Sequence, residues 1–162
     1  GVEPVKSMTL HNQKLGLTSA AVIAACIRGN ASLTQLDLSK NRLVNISPKI
    51  AELSALEKLN LSKNRFEFFP KETSSLENLR VLILGGNKLG YIPMSISKHP
   101  KLEELDMYDN PIGDLGEGIF SVPTLRRLDL RGLMYNAKSQ AEIRKKLPNV
   151  KVLFDPPCNC MD

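Results

Sequence analysis

The chain is poor in the residues that most chemistry needs: no tryptophan, 5% aromatics, two histidines and three cysteines in 162 residues. With His11 and His99 as the only histidines, a nucleophile has few bases to work with, and no catalytic residue is expected. Gly85 and Gly86 follow a predicted strand but lack the lysine and helix start of a phosphate-cradling loop. Cys26 falls in a predicted helix and reads as a small core residue, while Cys158 and Cys160 stand without the further ligands a metal site needs. No metal and no cofactor is therefore expected. No apolar run approaches the roughly 18 residues that cross a bilayer, so no membrane span is expected. Residues 1–8 do not read as a signal peptide, although a processed, exported chain would look the same.

Charge of one sign is also less abundant than the formal +5 implies. Lys138, Arg144, Lys145, Lys146 and Lys151, against Glu142, supply +4 of it in one segment, where late basic residues favour the negative end of a helix. With no basic stripe interleaved with aromatics, the composition argues against a nucleic-acid partner.

What the chain does have is a period. Leu33, Leu56, Leu79, Leu102 and Leu125 are spaced by 23 residues, and each opens a segment LxxLxL. The second and third leucines are two apart, so a strand turns both to one face and the residues between them to the other. Four copies continue in phase as LxxLxLxxNxL: LTQLDLSKNRL from Leu33, LEKLNLSKNRF from Leu56, LRVLILGGNKL from Leu79 and LEELDMYDNPI from Leu102. Looser tails follow, with Ile46, Pro48, Ile50 and Leu53, then Phe69, Pro70 and Leu76, then Ile92, Pro93 and Ile96.

These motifs resemble the leucine-rich repeat family in its NxLxxIPxxIxxL form. The resemblance implies an α/β solenoid, a right-handed horseshoe with about six parallel strands on the concave face and an irregular or helical convex side. It also implies that Asn41, Asn64, Asn87 and Asn110 form a ladder. An amide side chain has both donors and acceptors, so stacked asparagines can satisfy the backbone where it leaves the sheet. The cysteine clusters that cap many extracellular relatives are missing, which favours a reducing, cytoplasmic compartment over export.

Both ends depart from the period, which implies a nearly complete array within one domain over 1–162. In residues 1–32, Val5, Met8 and Leu10 form a divergent strand with Gln13 in the asparagine phase. Thr18–Arg28 is alanine-rich and ends at Gly29, so it predicts a helix, with Ala21, Ala24 and Ala25 packing closely on the edge unit. This unit resembles a ribonuclease-inhibitor-type repeat. Four regular repeats occupy 33–124. In 125–155, Leu133 takes the ladder position, Ser139 with Glu142 reads as a capping box, Pro148 ends the helix, and Val150–Phe154 reads as a last strand. Residues 156–162 form a tail.

Function is then sought on the concave face. The outward phases give Ser7, Thr9 and His11; Gln35, Asp37 and Ser39; Lys58, Asn60 and Ser62; Val81, Ile83 and Gly85; Glu104, Asp106 and Tyr108; Arg127, Asp129 and Arg131. At roughly 4.8 Å per strand, six strands make a platform about 25 Å across. Val81 and Ile83 are apolar where neighbouring rows are polar, and Gly85 leaves room beside Tyr108, a composition suited to an interface hot spot. Charge is banded: Lys40, Lys58 and Lys63, then Glu103, Glu104, Asp106 and Asp109, then Arg126, Arg127 and Arg131. Such banding can fix a partner's register. The expected function is a monomeric, non-catalytic module binding a protein through Lys58, Asn60, Val81, Ile83, Glu104, Asp106, Tyr108, Arg127, Asp129 and Arg131. The competing reading is a structural protein whose strand edges or convex side contact other copies.

Overall fold

The computed structural model describes residues 5–16, 23, 25 and 27–157. Among these, seven strands of three residues follow the period: β1 Ser7–Thr9, β2 Gln35–Asp37, β3 Lys58–Asn60, β4 Val81–Ile83, β5 Glu104–Asp106, β6 Arg127–Asp129 and β7 Lys151–Leu153. They lie side by side in chain order in one parallel sheet. The closing strand, expected over 150–154, takes the count to seven, one more than the roughly six the period implied.

The register explains why so short a strand suffices. Met8, Leu36, Leu59, Leu82, Leu105, Leu128 and Val152 are mutual partners along the sheet, so the central residue of every strand points the same way. From Leu36 to Leu128 these side chains are at most 1% exposed and join one continuous core. Burying each leucine contributes about 1.5–3 kcal/mol, which compensates for the few hydrogen bonds of a three-residue strand.

Each coil leaves the sheet through a left-handed residue: Asn12, Lys40, Lys63, Gly86, Asp109 and Gly132 all have φ between +48° and +81°. The next residue is the ladder position. Asn64 donates from Nδ2 to Leu38 O and Leu61 O, at 3.0 and 2.9 Å, and accepts at Oδ1 from Leu43 N at 3.0 Å. Asn87 and Asn110 bond in the same pattern, one coil further each time. Asn41 accepts instead from Gln13 N and Leu15 N of the divergent first unit. All four asparagines are buried, so the amide replaces the water that the turning backbone has lost. Leu133, at the sixth position, is buried without that bonding capacity and ends the ladder.

On the return path the chain makes one short 3₁₀ helix per regular repeat, at Pro48–Glu52, Lys71–Ser75, Met94–Lys98 and Glu117–Ser121. The second and third follow Pro70 and Pro93 in extended conformation. His99 stands at the phase that Leu53, Leu76 and Val122 hold in other repeats. It is 1% exposed, with Nδ1 3.1 Å from Ile96 O and Nε2 3.2 Å from Thr73 Oγ1. Burial lowers its pKa below the usual histidine value.

The ends differ from expectation in two details. The closing helix, α1, runs Ala137–Lys146 and is capped by Asn136, whose side chain accepts from Ser139 N at 2.9 Å. Ser139 is therefore the third residue of the helix and not its cap, because Asn136 already stands in extended conformation just before the first turn. Near the start, Ile23, Ala25 and Ile27 have helical backbone, and Ile23 and Ile27 are buried while Ala25 is exposed. Close packing by Ala25 is thus incorrect: isoleucines four apart own the inner face, and a residue midway between them points outward. The rest of Thr18–Arg28, with Ala21, Ala24 and Cys26, and the Cys158–Cys160 pair lie outside the described residues. No described helix is long and apolar enough to cross a membrane.

Candidate functional site

Three columns of side chains line the exposed side of the sheet. Ser7, Gln35, Lys58, Val81, Glu104, Arg127 and Lys151 are register partners in the first. Thr9, Asp37, Asn60, Ile83, Asp106, Asp129 and Leu153 form the second. His11, Ser39, Ser62, Gly85, Tyr108 and Arg131 follow two residues beyond. The outward-phase residues expected on this face do share it, and Lys151 and Leu153 extend it by a row that the period did not place there, whereas Lys40, Lys63 and Asp109 of the expected charge bands fall in the left-handed turns beyond the third column.

The second column has a structural task as well as an exposed position. Asp37 Oδ1 accepts from Ser39 N at 2.8 Å, Asn60 from Ser62 N at 3.0 Å, Asp106 from Tyr108 N at 3.1 Å and Asp129 from Arg131 N at 3.3 Å. A short carboxylate or amide thus closes the turn as the strand ends. In the β4 row the same place belongs to Ile83, which has no acceptor. Val81 and Ile83 are half-buried, so this row is an apolar floor between polar ones.

Beside it, Tyr108 lies across Gly85. A Cβ on Gly85 would fall 2.0 Å from Tyr108 Cδ1 and Cε1, so the phenol ring occupies the space that any other residue would fill. Burial raises the Tyr108 pKa, and the neighbouring Asp106 adds to the effect. Asp106 itself is raised chiefly by burial. The result is an aromatic edge flanked by a carboxylate, next to Val81 and Ile83.

The β6 row is built the opposite way. Asp129 is fully buried, with Arg131 Nη2 2.6 Å and Arg127 Nη2 3.2 Å from Oδ2, and Arg131 Nε 2.9 Å from Oδ1. Burial would raise this carboxyl, but the hydrogen bonds and charges of Arg131 and Arg127 outweigh it and hold the group below the usual carboxylate range. Asp129 offers no surface of its own. It fixes two arginines that do. Arg127 also reaches Glu104 at 3.7 Å, and Arg80 meets Glu103 at 2.6 Å. Two members of the acidic band are therefore paired, Glu104 with Arg127 of the arginine band and Glu103 with Arg80 from outside it, which a linear count of charges did not show.

A feature missed in the sequence is a depression of about 380 Å³ bounded by Asp106, Tyr108, Asp109, Arg131, Gly132 and Asp155. Asp155 enters through the closing strand, where Arg127 pairs with Lys151 at a spacing of 24, so a 23-residue ruler misplaces it.

Among known proteins, two leucine-rich repeat models match the chain, one over residues 31–89 and a two-copy form over 77–121. Together they span more than half of it. No curated protein matches. Among solved structures, a leucine-rich repeat protein of Leptospira interrogans is 33% identical with a TM-score of 0.69, over 76% of this chain and 32% of that one. An internalin of Listeria monocytogenes is 19% identical with a TM-score of 0.63, over 85% of this chain and 37% of that one. The chain thus spans about a third of either structure.

Proposed function

The chain belongs to the leucine-rich repeat family, whose domains are typically non-enzymatic protein-interaction modules, and on that premise we propose that it binds a protein partner through the concave face. The observation that carries this reading is the β4 row. At Ile83 the array gives up the turn-closing acceptor that Asp37, Asn60, Asp106 and Asp129 supply, and gains an apolar surface instead. The core positions of this coil are held by Leu82 and Leu84, both fully buried, so Ile83 is not one of them.

A partner's apolar side chain would seat on Val81 and Ile83 against the Tyr108 ring. Lys58 and Asn60 flank it on one side and Glu104 and Asp106 on the other, so a polar rim surrounds an apolar centre. Arg127 and Arg131, held by Asp129, supply preorganised donors at the far edge, where little side-chain freedom is left to lose on binding. The reading treats the chain as a monomer and as free of catalytic chemistry.

The test is affinity purification from native extract with the wild-type chain, Ile83→Glu, and Lys71→Glu as a control on the return side. The expected result is a set of proteins retained by wild type and by Lys71→Glu and lost with Ile83→Glu and with Tyr108→Ala. Equal retention by all folded variants would remove the concave face from consideration.

A further inference from the structure

We propose that the loops leaving β1 to β4 form a second binding surface, independent of the concave one, that takes the acidic face of a partner α-helix. These loops carry Lys14, Lys40, Arg42, Lys63, Arg65 and Lys88, all exposed. The loop segments 11–16, 39–47, 62–70 and 85–93 hold those six cations against Glu67 alone, a net +5 with histidine neutral. The ion pairs among the described residues use Lys49, Arg80, Arg127, Arg131 and Lys146, and none of the loop cations.

The cations stand in two ordered columns. Lys40 N donates to Ser62 O and Lys63 N to Gly85 O, at 2.9 and 2.8 Å. Arg42 N donates to Leu15 O, Arg65 N to Leu43 O and Lys88 N to Phe66 O, at 2.7 to 2.8 Å. Loop is bonded to loop, so the rows keep the spacing of the sheet, about 4.8 Å per coil.

Three of the lysines sit where lysine is a poor choice. Lys14, Lys40 and Lys63 have φ of +57°, +52° and +54°, the left-handed conformation, which Gly86 and Gly132 adopt in other coils at the place held by Lys40 and Lys63. A side chain there is strained relative to glycine, so the charge is present despite the backbone and not because of it.

The spacing identifies the occupant. A helix rises 5.4 Å per turn, and glutamates placed three and four residues apart form one stripe at nearly the interval of the coils. Phe68 and Tyr91, 70% and 50% exposed, follow three residues after Arg65 and Lys88, so an amphipathic helix can set its acidic stripe on the cations and an apolar edge on the rings. A single-stranded nucleic acid needs a stacking platform at successive bases. Only two of the four loops offer an aromatic.

The test uses an alanine-based helical peptide of about 22 residues with its glutamates on one stripe, and a peptide of equal composition with the glutamates dispersed. Oligothymidylate and heparin serve as competing polyanions. The expected result is striped-peptide binding that weakens with added salt, exceeds that of the dispersed peptide by about tenfold or more, and is lost in Arg65→Glu/Lys88→Glu. Lys63→Gly should bind more weakly without losing thermal stability, because it removes charge and strain together. Absent binding, equal binding of the two peptides, or displacement by oligothymidylate or heparin at lower charge concentration would each overturn the proposal. Ile83→Glu should leave the peptide bound. Loss in that variant alone would move the helix to the concave face, overturning this surface while favouring the other.

Discussion

The β4 and β6 rows occupy equivalent places in the sheet and spend them differently. In β6, Asp129 is buried, closes its turn and holds Arg127 and Arg131. In β4, Ile83 does none of this and shows part of its side chain to solvent. The inward leucines, Leu82 and Leu128, are equally buried, so the core does not distinguish the rows. In a repeat protein the scaffold is set by one phase of the period, which leaves the outward phases free to serve structure in one coil and recognition in another.

The comparison can be broken most severely through the ladder that both rows depend on. Asn87→Leu would imitate Leu133 in mid-array, leaving the Phe66 N–H without its acceptor and taking one of two amide donors from each of the Leu61 and Leu84 carbonyls, which keep Asn64 and Asn110. At about 1–3 kcal/mol for a buried unsatisfied group, a loss of several kcal/mol is expected in urea unfolding. A change under 1 kcal/mol would mean that the asparagines are only turn residues.

Next in size is Asp129→Ala, which removes three charge-assisted contacts and a turn acceptor. About 2–3 kcal/mol of destabilisation is expected by chemical denaturation, together with mobile guanidinium signals from Arg127 and Arg131 by NMR. Asp37→Ala, which removes a turn acceptor with no described ion pair, should fall well below it.

A smaller effect sets a buried histidine against both rows. His99 has a folded-state pKa below 6.5, so between that lowered value and 6.5 the unfolded chain binds more protons than the folded one. Stability is then complete above pH 6.5 and falls as the pH drops through that window. His99→Leu should flatten the decline while changing stability at pH 8 only slightly; an unaltered pH profile would show that other groups dominate.

Much of this could be read in the sequence, for physical reasons that also mark where the reading stopped. The 23-residue spacing of leucines sets the sheet and its register, and the resemblance to leucine-rich repeats implies the ladder of Asn41 to Asn110. The same phase placed Val81, Ile83 and Tyr108 on one face. Burial of Asp129 depends on how two arginine side chains fold back over it, which no spacing encodes. Asn136 precedes Ser139 and Glu142 as a cap because backbone conformation, not residue type alone, decides where a helix begins. The added residue between β6 and β7 shifts the register to 24, hiding Asp155, and the left-handed turns at Lys40 and Lys63 were masked by residues that rarely adopt them.

The most direct test of the account is Ile83→Asp, which gives β4 the residue type that closes the turns of β2, β5 and β6. The account predicts a folded chain of equal or slightly greater thermal stability that no longer retains the proteins captured by wild type. A destabilised chain, or a stable one that captures the same proteins in the same amounts, would contradict it: Ile83 would then be serving the fold and not a partner.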